Sequence, residues 1–195
     1  MKSVEVYTNL KSLLKEKGFS VSVGDEGGFA PNLKTSEEVL DLIILSIERT
    51  GLIYLDDMSI ALDCAASELF SKDSYKLTGE NKKFSSDEMV FYMQALVDKY
   101  GIKSVEDPFD ERDWDAWKTF TNNNNDLQIV GDDIFVTQEK ILRKGIDNKV
   151  ANSILVKLNQ VGTLSETMQA ISLAKNNGYE TIISHRSGET EDCTI

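Results

Sequence analysis

Ser153-Ile-Leu-Val-Lys157 is a short apolar run that closes on a charged amine. Four such residues read as a buried strand, an environment that excludes an unpaired ammonium, so Lys157 belongs at the strand's end, facing polar groups. The pattern recurs. Residues 59–62, 102–105, 127–130 and 181–184 are further strand candidates, ending at Asp63, Glu106, Asp132 and His185. Helical patterns lie between them. Ser85 and Glu88 form a capping box before Met89, Met93, Leu96, Val97 and Tyr100, which share one helix face, and Thr163 with Glu166 opens another helix through Lys175. Residues 113–120 and 138–144 are shorter helix candidates. The first interval between strands is the longest and has room for a small excursion at Tyr75-Lys-Leu and the Gly79 turn. Strands alternating with helices predict βαβ units and a parallel sheet.

Two architectures use such units. A doubly wound sheet normally carries a glycine-rich strand-to-helix turn for a nucleotide, and neither GxGxxG nor GxxxxGK[ST] occurs here. A (β/α)8 barrel sets its functional residues at the C-terminal ends of several strands, which is the pattern found. The expected fold is therefore α/β, an incomplete (β/α)8 barrel with about five βα units. A whole barrel takes roughly 250 residues, so residues 1–195 are expected to form one partial barrel domain. The start of the chain points the same way. Val4, Leu10, Leu13 and Leu14 mark a helix face that no capping residue precedes. A glycine-rich loop follows at 21–31, holding Asp25 and Glu26, then a Thr35–Glu38 capping box and a helix bearing Val39, Leu42, Ile43 and Ile47.

The composition narrows the function. A formal charge of −12 repels nucleic acid and anionic membranes, so a small anionic substrate would need local cations. No apolar run approaches the ~20 residues of a membrane span, and the two distant cysteines, Cys64 and Cys193, suit free thiols in a reducing compartment. A cytoplasmic protein is expected.

Asp63, Glu106 and Asp132, from three successive strand ends, would converge at a barrel mouth as oxygen ligands of the kind Mg²⁺ takes. An acidic chain offers acids everywhere, so solvated carboxylates are the plain alternative. Asp107 and Asp133 stand next door as hydrogen-bonding support. Lys157 reads as a general base beside the cation or, alternatively, as one half of an ion pair. His185, Arg186 and Ser187 before a glycine offer forked donors to a phosphate. A polar strand-to-loop junction is the alternative there.

The motifs GDEGGFAPN at 24–32, ALDCAASE at 61–68, SVEDPFDERDW at 104–114, GDDIFVT at 131–137, ILVKLNQVGTLSET at 154–167 and SHRSGETED at 184–192 resemble the enolase family, in order and along essentially the whole chain. Cys193 and Ala66 depart from the family's usual Thr and Ser. The resemblance implies reversible dehydration of 2-phosphoglycerate to phosphoenolpyruvate in glycolysis with Mg²⁺. It implies Asp63, Glu106 and Asp132 as magnesium ligands, Lys157 as the base at C2 and Glu26 as the acid at the C3 hydroxyl. Arg186 and Ser187 would hold the phosphate, with His185 beside the substrate. Full-length enolases pair as homodimers and add an N-terminal domain, a second metal site and a second active-site lysine in the last strand, none of which matches this chain. The competing expectation is thus a catalytically incomplete fragment that acts only as a metal- or anion-binding or interaction module.

Overall fold

The structure, a computed structural model, describes residues 1–186. The readings that involve Ser187 and Cys193 lie outside the described residues. The chain divides into two compact units, the first of Met1–Ile60, Leu77–Lys82 and Lys99–Gly101, the second of Ala61–Lys76, Lys83–Asp98 and the described part of Ile102–Ile195.

In the first unit, helices α1 (Lys2–Glu16) and α2 (Ser36–Glu48) pack through Leu13, Leu14 and Leu42, joined by Leu10, Phe19, Val21, Phe29 and Leu33. The buried stripe of α1 is Val6, Leu13 and Leu14. Val4 lies 67% exposed, because it sits two residues, and so about 200°, round from Val6. On α2 the stripe is Leu40, Leu42 and Ile47, with Val39 turned outward. Thr35 caps α2 by accepting from the Glu38 amide at 3.1 Å, while the Glu38 carboxylate reaches back to the Lys34 amide at 2.8 Å. Between the helices the Gly24-Asp-Glu-Gly-Gly28 turn closes through Gly24 N–H donating to the Gly28 carbonyl at 2.9 Å, with Gly27 in the left-handed region at φ +82. Glu26 stands exposed in this turn. Tyr7 stacks on Phe29 at 4.4 Å and donates to the Gly27 carbonyl, which ties the turn to α1.

The remaining elements, in chain order, are β1 (Ala61–Asp63), β2 (Tyr75–Leu77), β3 (Lys82–Phe84), α3 (Ser86–Tyr100), β4 (Ser104–Glu106), α4 (Trp114–Asn123), β5 (Gln128–Gly131), α5 (Glu139–Asn148), β6 (Ser153–Val156), α6 (Leu158–Val161), α7 (Leu164–Asn176) and β7 (Glu180–Ile183). β2 and β3 form the expected excursion as a two-stranded sheet. The other five strands make one parallel sheet in the order β1-β4-β5-β6-β7. Each strand of that sheet is laid beside its predecessor in one direction. A doubly wound sheet reverses its order at a switch point, whereas a barrel wall does not, so these five strands are an arc of a barrel.

The helix starts behave as their sequence motifs predict. Ser85 and Glu88 exchange backbone and side-chain bonds, with Ser85 N–H donating to Glu88 at 2.8 Å and Glu88 N–H to the Ser85 hydroxyl at 3.3 Å. Met89, Met93, Leu96, Val97 and Tyr100 are all buried. Trp117 is fully buried among Phe109 and Phe120, and Trp114 lies under the Lys144 ammonium at 3.7 Å, so both tryptophans serve packing. A buried Phe135 ring wedges between Gly131 at the end of β5 and Gly145 on α5. A Cβ on Gly131 would stand 2.5 Å from that ring, which is why glycine is needed at this close approach.

Candidate active site

Strand register decides which side chains meet. Asp63 lies opposite Glu106, and Glu106 opposite Val130. Val130 in turn lies opposite Ser153. Side chains alternate along a strand with period two, so Asp132, two past Val130, shares the face of Asp63 and Glu106. Lys157, four past Ser153, falls on that same face. The four strand-end residues singled out in the sequence therefore project from one side of the sheet, at its C-terminal edge.

Asp132 is the hub. It is 7% exposed, and its Oδ2 accepts a hydrogen bond from Lys157 Nζ while its Oδ1 accepts from Gln160 Nε2 at 3.0 Å. The Lys157 side chain is itself 17% exposed, so this pair is largely withdrawn from water. The backbone around it is fixed by Asp107. One Asp107 oxygen accepts the Asp132 amide at 3.0 Å and the other the Asp133 amide at 2.9 Å. Asp107 also donates its own N–H to Val130 and accepts from Ala66, so it joins the ends of β1, β4 and β5. It reaches both neighbours from a left-handed backbone at φ 42, a conformation aspartate tolerates better than most residues.

The electrostatics are unbalanced. Burial, followed by Asp63, Asp132 and Asp107, pushes the Glu106 carboxyl up to about 7, opposed by Lys157. Burial pushes Asp107 up to about 7 as well, against the two amides that lower it. Asp63 and Asp133 are raised, again first by burial. Five carboxylates thus crowd one ammonium, an arrangement that a divalent cation would relieve. Asp107, Asp132 and Asp133 bring ligand oxygens within 4.8 Å of one another and could hold a metal ion. Each Asp107 oxygen already accepts one amide, and each Asp132 oxygen one side-chain donor, so a cation bound here would share these oxygens with their present donors or displace them. Cys64, beside Asp63, has its thiol pushed up to about 12, chiefly by burial, and is no nucleophile.

Asp63, Glu106, Asp132 and Lys157 share one sheet face in the second unit. His185 and Arg186 follow β7, whose ladder extends one residue past its end through Ser184 N–H donating to the Val156 carbonyl at 3.0 Å. Glu26 is in the first unit. Two residues escaped the sequence reading altogether, Thr137 and Gln160. The only signal was their place, just past the ends of β5 and β6 in GDDIFVT and KLNQ. Among the described residues, no helix is long and apolar enough to cross a membrane.

The family model described as the enolase C-terminal TIM barrel domain matches residues 1–195, the whole chain. That match agrees with the parallel sheet, with its unreversed strand order and with the carboxylates gathered at the strand ends. The chain belongs to the enolase C-terminal TIM barrel domain family, whose fold is that of the enolase-superfamily lyases.

Proposed function

We propose that this chain carries the chemistry of an enolase proper, the reversible dehydration of 2-phosphoglycerate to phosphoenolpyruvate with Mg²⁺. The observation that carries the reading is the Lys157 amine seated on Asp132, on the sheet face that also bears Asp63 and Glu106. The donor set suits Mg²⁺, being hard carboxylate oxygens whose mutual repulsion is left unmet by one lysine. Asp63, Glu106 and Asp132 would hold the ion. Its charge would offset the second negative charge that builds on the substrate carboxylate as the C2 proton leaves.

The protein groups do the rest. Lys157 Nζ takes the C2 proton through its lone pair, for which it must be neutral, and its charge-assisted bond to Asp132 is then exchanged for at most a weaker one. Asp107 holds the 132–133 backbone still while that exchange occurs. Glu26 gives a proton to the C3 hydroxyl, which departs as water and leaves the C2–C3 double bond. Arg186, with Ser187 and His185 beside it, binds the phosphate through its planar fork of donors. A chain of this kind would act in the cytoplasm, without nucleic-acid partners, and its full-length form would be a homodimer.

The test is Mg²⁺-dependent formation of phosphoenolpyruvate from 2-phosphoglycerate, followed by absorbance, for this chain and for a version extended at both ends to the length of full enolases. Activity in the extended version that disappears with Lys157→Ala supports the reading. An inactive extended protein, or one that keeps its activity without Lys157, overturns it.

A further inference from the structure

Thr137 and Gln160 form a relay that ends on the central carboxylate. The Thr137 hydroxyl donates to Gln160 Oε1 at 2.6 Å, and Gln160 Nε2 donates to Asp132 Oδ1 at 3.0 Å. The Thr137 oxygen also accepts the Lys157 backbone amide at 2.9 Å. With the Lys157–Asp132 contact, these bonds close a ring that runs from the end of β5 to the end of β6 and back. The Thr137 hydroxyl also lies 3.4 Å from the Leu155 carbonyl, but the 2.6 Å contact to Gln160 is the shorter and takes its proton. The Thr137 proton makes Oε1 the Gln160 acceptor, which turns the Nε2 donor toward Asp132.

The backbone shows that this arrangement is imposed. Val136 and Thr137 lie at φ 42 and φ 56, left-handed values that β-branched side chains rarely adopt. The turn is held by Phe135 and Val136 N–H groups donating to the Asp132 carbonyl at 3.0 and 2.7 Å, and by the Phe135 wedge between two glycines. Strain of this sort persists where its surroundings over-determine it, and here its product is a buried hydroxyl aimed at Gln160.

We infer that Gln160, oriented by Thr137, is a positioning residue that keeps Oδ1 of Asp132 engaged and so presents Oδ2 alone for exchange between Lys157 and a divalent cation. This rests on the reading of Asp132 as a metal ligand. A carboxylate free to rotate would offer either oxygen, spend entropy on binding the ion, and lose its alignment with Lys157. An amide from a neighbouring element removes that freedom without adding charge to a cluster already rich in it.

The experiment measures Mn²⁺ affinity of the full chain by the electron paramagnetic resonance of free and bound ion, without substrate. Gln160→Met, nearly the same size, should weaken binding about tenfold, the low end for losing a group that orients a ligand. Thr137→Val should weaken it similarly, Thr137→Ser should restore parental affinity, and Gln160→Met with Thr137→Val should be no weaker than either alone. Parental affinity in Gln160→Met, while Asp132→Asn loses binding, overturns the relay and leaves the metal site standing. Parental affinity in Asp132→Asn overturns both. Additive losses in the double variant show that Thr137 does not act through Gln160. If Gln160→Met fails to fold, the Thr137→Val and Thr137→Ser pair decides: equal affinities overturn the inference, and loss in Val with recovery in Ser sustains it.

Discussion

The two edges of the parallel sheet solve the same problem of buried polarity in opposite ways. At the N-terminal edge, polar groups pair off, and the one carboxylate among these pairs, Glu180, accepts from the Gln128 amide. Asn152 donates to the Leu127 carbonyl at 2.7 Å and accepts from the Ile129 amide at 2.8 Å, and the Ser104 hydroxyl donates to Gln128 at 2.8 Å. At the C-terminal edge, five carboxylates face one lysine, and two β-branched residues sit in strained backbone. The first edge spends its polar groups on the fold and is satisfied by itself. The second keeps charge concentrated, and only a cation and an anionic substrate would complete it. Barrels of this type place stability at one end and chemistry at the other.

The sharpest way to break that contrast is to mutate both edges in an extended, active protein. Lys157→Ala should lower turnover about 10²–10⁴-fold, the range for a lost general base, whereas Gln128→Ala should leave turnover unchanged. Comparable losses at the two edges would erase the distinction. Next in size, Asp132→Asn should weaken Mg²⁺ binding about 10–100-fold in calorimetry on folded protein. Asn152→Ala should leave that affinity alone.

Stability should divide along different lines. Gly145→Ala forces a methyl into the Phe135 ring and should cost about 1–3 kcal/mol in urea unfolding, as overpacking does. A neutral result would mean that the wedge relaxes easily and does not fix the turn carrying Asp132.

The smallest effect is a pH slope confined to the charged edge. Glu106 titrates near 7 in the fold against an ordinary value of 4.5, so between these values the folded state binds more protons than the unfolded one. Metal-free protein should therefore lose stability as pH rises from about 4.5 to 7. Glu106→Gln should lessen that slope, with Asp107 carrying much of the remainder, and saturating Mg²⁺ should reverse it. A parental slope in Glu106→Gln would show that the Glu106 carboxyl is not raised in the fold.

Much of this was legible in the sequence because it follows from local chemistry. Lys157 at the end of an apolar run, and acids at the ends of three others, fixed both the strand ends and their shared face, since period-two alternation needs no knowledge of packing. Capping residues such as Ser85 and Glu88 set helix starts for the same reason. Val4 and Val39 were misplaced because several helix rotations fit the same apolar residues, and only the neighbouring helix selects among them. Asp107 was recognisable as support, but not as a joint between three strands, because its role depends on a left-handed backbone. Thr137 and Gln160 gave almost no signal. Polar residues just past strand ends are common, and their meaning here comes from a turn meeting the short helix α6 across 23 positions of sequence.

The central claim is that Lys157 removes the C2 proton, and isotope exchange tests it without requiring the full dehydration. The extended protein is incubated in D₂O with Mg²⁺ and 2-phosphoglycerate, and deuterium at C2 is followed by NMR. The account predicts steady incorporation by the parent and none above background with Lys157→Ala, in protein that still folds and binds Mg²⁺. Incorporation at the parental rate without Lys157 would contradict it.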